Sequence, residues 1–153
     1  MLRYKDLRED NDLLQKDVAK ILNVTAHTYG EWERGTNDMA LANCVKLANF
    51  YNTSIDYLLG RTMKNKKIFS DYEIDWGIVR KRLLEYRNKY KLSQTELGNK
   101  VGLPQGTYSN YEIGRFKPTT LKLMNIADFY NISMDYLVGR CDEKELEKNS
   151  LDK

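Results

Sequence analysis

The chain holds one histidine, two cysteines and two prolines in 153 residues. One histidine beside Cys44 and Cys141 does not supply a metal cluster, and two thiols do not make a disulfide framework. No cofactor is therefore expected. No apolar run approaches the ~20 residues of a membrane span, and residues 1–6 carry no apolar signal core. No membrane partner and a cytosolic setting are the expectation. There is no phosphate-cradling glycine loop and no serine–histidine or cysteine–histidine pattern with context. His27 alone founds no active site, so an enzyme is not expected. What remains, 41% hydrophobic and 31% charged residues, reads as a globular chain.

What the sequence does have is repetition. Tyr57-Leu58-Leu59-Gly60-Arg61 returns as Tyr136-Leu137-Val138-Gly139-Arg140, an offset of 79 that holds without a gap. Arg8 meets Arg87, Gln15 meets Gln94, Thr28-Tyr29 meets Thr107-Tyr108, and Glu33-x-Gly35 meets Glu112-x-Gly114. A repeat fixes architecture before any local reading is made. Two copies imply a tandem pair of small domains: residues 1–62, a linker at 63–74, residues 75–141, and a charged tail at 142–153 that is expected to fray. Domains this small bury only ~60% of the surface of their unfolded chains, which favours compact helical cores. Fully extended, a linker of ~13 residues reaches ~40 Å. Charge divides the copies: residues 1–62 carry net −1 and residues 79–141 carry net +6. Only the second has the electrostatics of a polyanion binder.

Each copy reads as five short helices. In the second, Asp75 is a candidate N-cap, and Ile78, Val79, Leu83 and Tyr86 recur at helical spacing. Ser93 and Glu96 form a capping box for a helix over 94–101, which Gly102 stops. Pro104 is expected to open the next helix, which ends at Gly114. Thr119 or Thr120 caps the fourth helix and Ser133 the fifth. In the first copy Leu14 replaces Ser93 and removes that cap. Asn23 replaces Gly102, Thr25 replaces Pro104, and Gly30 lies inside the third helix at a cost of ~1 kcal/mol relative to Ala. Cys44 aligns with Leu123 and reads as a core thiol.

The stretches 15–25 and 94–104 each place Gln at the head of a helix, a small residue four later (Ala19, Gly98), and an apolar corner residue (Val24, Leu103) before a third helix. With the Glu-x-Gly ending and the closing Ser-x-Asp-Tyr-Leu-hydrophobic-Gly-Arg, each copy resembles the lambda-repressor-like (Cro/repressor, Xre-type) helix-turn-helix DNA-binding domain. The resemblance covers about 1–61 and 79–140. It implies an all-α fold of two tandem five-helix lambda-repressor-like domains, and a regulator that reads double-stranded DNA with its third helix in the ~12 Å major groove.

On that resemblance the second copy's DNA-contacting residues are expected to be Gln94, Gln105, Gly106, Thr107, Ser109, Asn110, Arg115 and Lys117. Gln105 suits adenine, and Arg115 and Lys117 suit phosphates. The first copy's counterparts are Gln15, Thr25, Ala26, His27, Thr28 and Arg34, with Gly30 and Glu31 beside them. Glu31 repels phosphate unless it accepts from cytosine N4, and Asp38 stands where Lys117 stands. Two readings of the first copy stay open: it reads DNA, or it takes a protein partner, as an antitoxin-like or antirepressor-like module would. A homodimer is also open. The resemblance further implies ion pairs between Arg8 and Glu33 and between Arg87 and Glu112. The recurring aromatics Tyr29, Trp32, Tyr57, Tyr108, Tyr111 and Tyr136 read as core rather than as base-stacking platforms.

Overall fold

The structure is a computed structural model that describes residues 1–146. Among these the named elements are all helices, with an isolated bridge between Ile132 and Glu145, and the chain divides into two compact units, residues 1–73 and 74–146. The first unit holds α1 (Tyr4–Asp10), α2 (Gln15–Ile21), α3 (Ala26–Arg34), α4 (Leu41–Phe50) and α5 (Ile55–Leu58). The second holds α6 (Trp76–Lys89), α7 (Gln94–Lys100), α8 (Thr107–Ile113), α9 (Thr120–Tyr130) and α10 (Met134–Leu137). This is the tandem five-helix architecture that the repeat implies.

Capping side chains set half of the helix starts. Asp75 accepts from the Gly77 and Ile78 amides. Ser93 Oγ accepts from Glu96 N at 3.1 Å, and Glu96 Oε2 accepts from Ser93 N at 2.7 Å. Thr25, Ser54 and Ser133 cap α3, α5 and α10 in the same way. At α2 only half of the box survives: Asp17 Oδ2 accepts the Leu14 amide at 2.8 Å, while Leu14 itself offers no acceptor. The expected cap of α9 is positional only, because the Thr119 hydroxyl is buried without a hydrogen-bond partner. The expectation for Pro104 is corrected. Residues 104–106 form a turn, closed by Thr107 N donating to Pro104 O at 3.1 Å, and α8 begins at Thr107. Gly106 sits at φ 80°, a left-handed conformation that most side chains resist, so the chain cannot enter the helix directly from Pro104.

The cores follow the repeat. Tyr4, Leu7, Val18, Tyr29, Leu47, Ile55 and Leu58 are buried in the first unit, and Val79, Leu83, Leu97, Tyr108, Leu123, Ile126 and Leu137 in the second. Cys44 is fully buried. At about 1.5–3 kcal/mol for each large apolar side chain taken out of water, these residues dominate the stability of units so small.

Two polar fastenings recur at the 79-residue offset. The Arg3 guanidinium lies 4.2 Å from the Tyr57 ring centroid and donates to Tyr57 O at 2.6 Å and Thr62 O at 2.8 Å. Arg82 stacks on Tyr136 at 4.0 Å and donates to Tyr136 O and Cys141 O. In each unit this clasp ties the first helix to the chain leaving the last, from Arg3 just ahead of α1 and from Arg82 midway along α6. The second fastening is a buried ion pair inside the closing motif, Asp56 with Arg61 and Asp135 with Arg140.

Residues 63–73, most of the expected linker, lie against the first unit. Ile68 N donates to Asn52 O at 3.1 Å, and Asn49 Nδ2 donates to Tyr72 O at 2.9 Å. The tail begins by folding back, with Ser133 N donating to Lys144 O at 3.0 Å. Its remaining residues, 147–153, lie outside the described residues. Among the described residues no helix is long and apolar enough to cross a membrane.

Candidate nucleic-acid interface

In each unit the second and third helices pack together through a short turn. Matched backbone bonds hold the corner: Val24 N donates to Ala19 O at 2.9 Å, and Leu103 N donates to Gly98 O at 2.9 Å. A methyl group built on Gly98 would meet Tyr108 Cβ at 3.7 Å, an ordinary contact, so the corner needs a small residue rather than glycine itself. Ala19, buried at the same position, fits that rule.

An ion pair then fixes the third helix against the first. Arg8 Nε and Nη2 donate to Glu33 at 2.6 and 3.2 Å, and Arg8 Nη1 donates to Leu13 O at 2.9 Å. Arg87 Nε and Nη2 donate to Glu112 at 2.8 and 2.6 Å, with Nη1 donating to Leu92 O at 2.9 Å. The bidentate fork matches the carboxylate. Burial by itself pushes the Glu33 carboxyl up; hydrogen bonds from Arg8 and Gln15 outweigh it and hold the group below its ordinary value. Glu112 is held low in the same way, burial being outweighed above all by the hydrogen bonds from Arg87. The Tyr29 and Tyr108 hydroxyls donate to Tyr4 O and Leu83 O, bonds matched across the repeat. Five of the six recurring aromatics are buried, and Tyr57 is half-buried under Arg3.

In the second unit the expected residues fall on the two sides of α8. Gln94, Gln105, Gly106 and Ser109 line one cleft of about 170 Å³ with Thr95 and Asn99. Thr107, Arg115 and Lys117 line a wider concavity of about 580 Å³ with Phe116, Thr119 and Lys122. Asn110 lies on α8 and is half-exposed. Gln105 is exposed, yet it stands in the turn ahead of α8 rather than at its first position. Nothing lies within 4 Å of a Cβ built on Gly106, so this glycine serves the left-handed turn and not a tight approach within the fold. Ser109 Oγ donates to Gly106 O at 2.8 Å and stiffens that entry. The Lys117 ammonium lies 5.1 Å from the Trp76 ring centroid. Sequence reasoning missed Thr95, Asn99 and Lys122; the first two sit one and five residues after Gln94, within reach of the same cleft.

The first unit presents a different face. Thr25, Ala26, His27 and Arg34 are exposed, and Thr28 is half-exposed. His27 Nε2 is 3.7 Å from Glu31 Oε1. Gln15 Nε2 donates to Glu33 Oε2 at 2.9 Å, so one end of this side chain is committed to the fold. Thr36, Asp38 and Asn43 occupy the positions of Arg115, Lys117 and Lys122, so the three cations of the second unit have no basic counterparts here. Leu14 and Ile21 are exposed where the second unit has Ser93 and Lys100.

A family model described as helix-turn-helix matches residues 5–58 and again residues 83–137. The chain belongs to the helix-turn-helix family. The first match spans α2–α3 and the second α7–α8, so each unit is a helix-turn-helix domain of the lambda-repressor-like kind. Three curated proteins illustrate its relatives. YobD of Bacillus subtilis, named an uncharacterized HTH-type transcriptional regulator, is 34% identical over 42% of this chain and 57% of its own length. The HTH-type transcriptional regulator ImmR of the same organism is 36% identical over 45% of this chain and 54% of its own. The cryptic phage CTXphi transcriptional repressor RstR of Vibrio cholerae is 34% identical over 40% of this chain and 55% of its own. The chain thus spans little more than half the length of these helix-turn-helix proteins. No solved structure gives a significant match.

Proposed function

We propose that the chain is a sequence-specific double-stranded-DNA-binding transcriptional regulator, repressor-like in action, whose second unit reads the major groove with α8 and the turn before it. The observation that carries this reading is α8 set between a polar cleft and a basic concavity, on a unit that carries net +6 over residues 79–141. A helix fits the ~12 Å major groove, and flanking cations meet phosphates on its edges. Gln105, Thr107, Ser109 and Asn110 face base edges, with Gln105 suited to adenine N6 and N7. Gln94, Arg115, Lys117 and Lys122 position the unit on phosphates. The names of the relatives, regulators and a repressor, support the same class.

The first unit, through Gln15, Thr25, Ala26, His27, Thr28 and Arg34, reads a second and different half-site. A second reading is favoured by Asp38 and by the exposed Leu14 and Ile21: the first unit binds a protein partner and leaves DNA to the second. Selection of duplexes from a random library with the full chain, at ~150 mM salt to suppress phosphate-only binding, separates the two. A two-part site with unequal halves supports tandem reading. A single short half supports the protein-partner reading. No enrichment contradicts the regulator reading itself.

A further inference from the structure

We propose that Gly30 is a positioning residue, and that Arg34, folded back over it, is the side chain with which the first unit reads a guanine. This inference rests on the DNA-reading function proposed above.

A Cβ built on Gly30 would stand 3.0 Å from Arg34 Nη1 and 3.1 Å from Gln15 Oε1. The tips of both side chains therefore lie side by side over the bare backbone of α3, close enough that a Cβ at this position would crowd both. The second unit has Ser109 at this position and Ile113 in place of Arg34. There the serine hydroxyl turns to Gly106 O at 2.8 Å, and Ile113 is exposed. The glycine and the arginine thus occur together in one unit and are both absent from the other.

Gln15 is itself held. Its Nε2 donates to Glu33 Oε2, which is fixed by Arg8, so its Oε1 is a stationary neighbour for the guanidinium. Folding back matters because of where the charge arrives. Arg34 is the last residue of α3, and four residues of helix rise span about 6 Å. Over Gly30 the guanidinium moves one turn toward the N-terminal half of the helix, the half that meets base edges in helix-turn-helix docking. A planar fork of donors matches guanine O6 and N7 and also matches phosphate oxygens. Arg34 differs in place from Arg115, Lys117 and Lys122, whose equivalents here are Thr36, Asp38 and Asn43. The geometry points to the base.

The test uses the full chain and the duplex it selects. Each position is changed through all four base pairs, and affinities are compared for wild type, Arg34→Ile and Gly30→Ser. Arg34→Ile is expected to erase a guanine preference of about tenfold at one position and to leave the other preferences in place. Gly30→Ser, with Arg34 intact, is expected to erase most of the same preference while the chain still unfolds cooperatively, because the added atoms crowd only the ends of Arg34 and Gln15. If Arg34→Ile weakens every sequence alike and flattens the salt slope by about one, Arg34 is a phosphate contact and the inference fails. Full preference in Gly30→Ser also overturns it. An enriched site with preferences unmoved by either variant sinks this inference alone, whereas no enrichment by wild type removes the regulator reading with it.

Discussion

Replacing Glu112 by alanine strips Arg87 of both carboxylate bonds, 2.8 and 2.6 Å, and leaves its guanidinium one backbone partner, Leu92 O. The two side chains are only 16% and 6% exposed, so little water reaches the stranded charge. Breaking a buried pair from one side costs ~3–5 kcal/mol. The residual exposure of Arg87 places this one near the lower end, at about 3 kcal/mol. For a unit of this size each kcal/mol moves Tm by ~4–8 °C, so the second unit should melt about 12–24 °C lower. The chain has two tryptophans, Trp32 in the first unit and Trp76 in the second. In a Trp32→Phe background, Trp76 fluorescence reports the second unit by itself. The pair also sets a pH dependence. Glu112 is held below its ordinary value of 4.5, so the unfolded chain takes up the proton first as pH falls. The stabilisation is complete above pH 4.5 and is lost as pH falls through the lower folded value. The gap between wild type and Glu112→Ala should therefore narrow below pH 4.5. A loss under about 1 kcal/mol, or a gap unchanged at acid pH, refutes the reasoning.

Other substitutions probe other parts of the chain. Arg82→Ala removes two carbonyl bonds and the stack on Tyr136, and should cost the second unit about 2 kcal/mol in denaturant unfolding. Leu14→Ser restores the missing acceptor beside Asp17 and should raise the first unit's stability by about 1 kcal/mol, read from Trp32 in a Trp76→Phe background; an unchanged midpoint would mean that the half box already suffices. Gln105→Ala should lower affinity for the selected duplex and relax preference at one base pair by about 1–3 kcal/mol. Lys117→Ala should instead weaken all duplexes alike and flatten the salt slope by about one.

The helices were legible in the sequence because their punctuation is local. Asp75, Ser93, Thr25 and Ser133 cap where a short polar side chain precedes an apolar run. Pro104 misled because proline favours a first helical position but equally suits a turn, and Gly106 two residues on decided for the turn. The Arg3 and Arg82 clasps went unseen although both arginines obey the 79-residue offset. Their hydrogen-bond partners are backbone carbonyls, which have no sequence signature, and the tyrosines they stack on read as core. The pairs Asp56–Arg61 and Asp135–Arg140 were findable, since a recurring Asp with an Arg five residues later lies inside the closing motif already noted. Gly30 looked like a helix fault, and its reason appears only when Gln15 and Arg34, distant in sequence from each other, meet above it. In the interface, the cleft beside α8 gathers residues from two helices and a turn, so Thr95 and Asn99 join it through packing and not through any motif.

The most direct measurement is made on the duplex that the full chain selects, by replacing adenine or guanine with its 7-deaza analogue at each position in turn. The change removes the N7 acceptor in the major groove and leaves the minor groove untouched. If α8 and its entry turn read base edges, affinity should fall about fivefold or more at one or more positions, and Gln105→Ala should abolish the effect at one of them. Affinity indifferent to every deaza substitution would contradict major-groove reading by this chain.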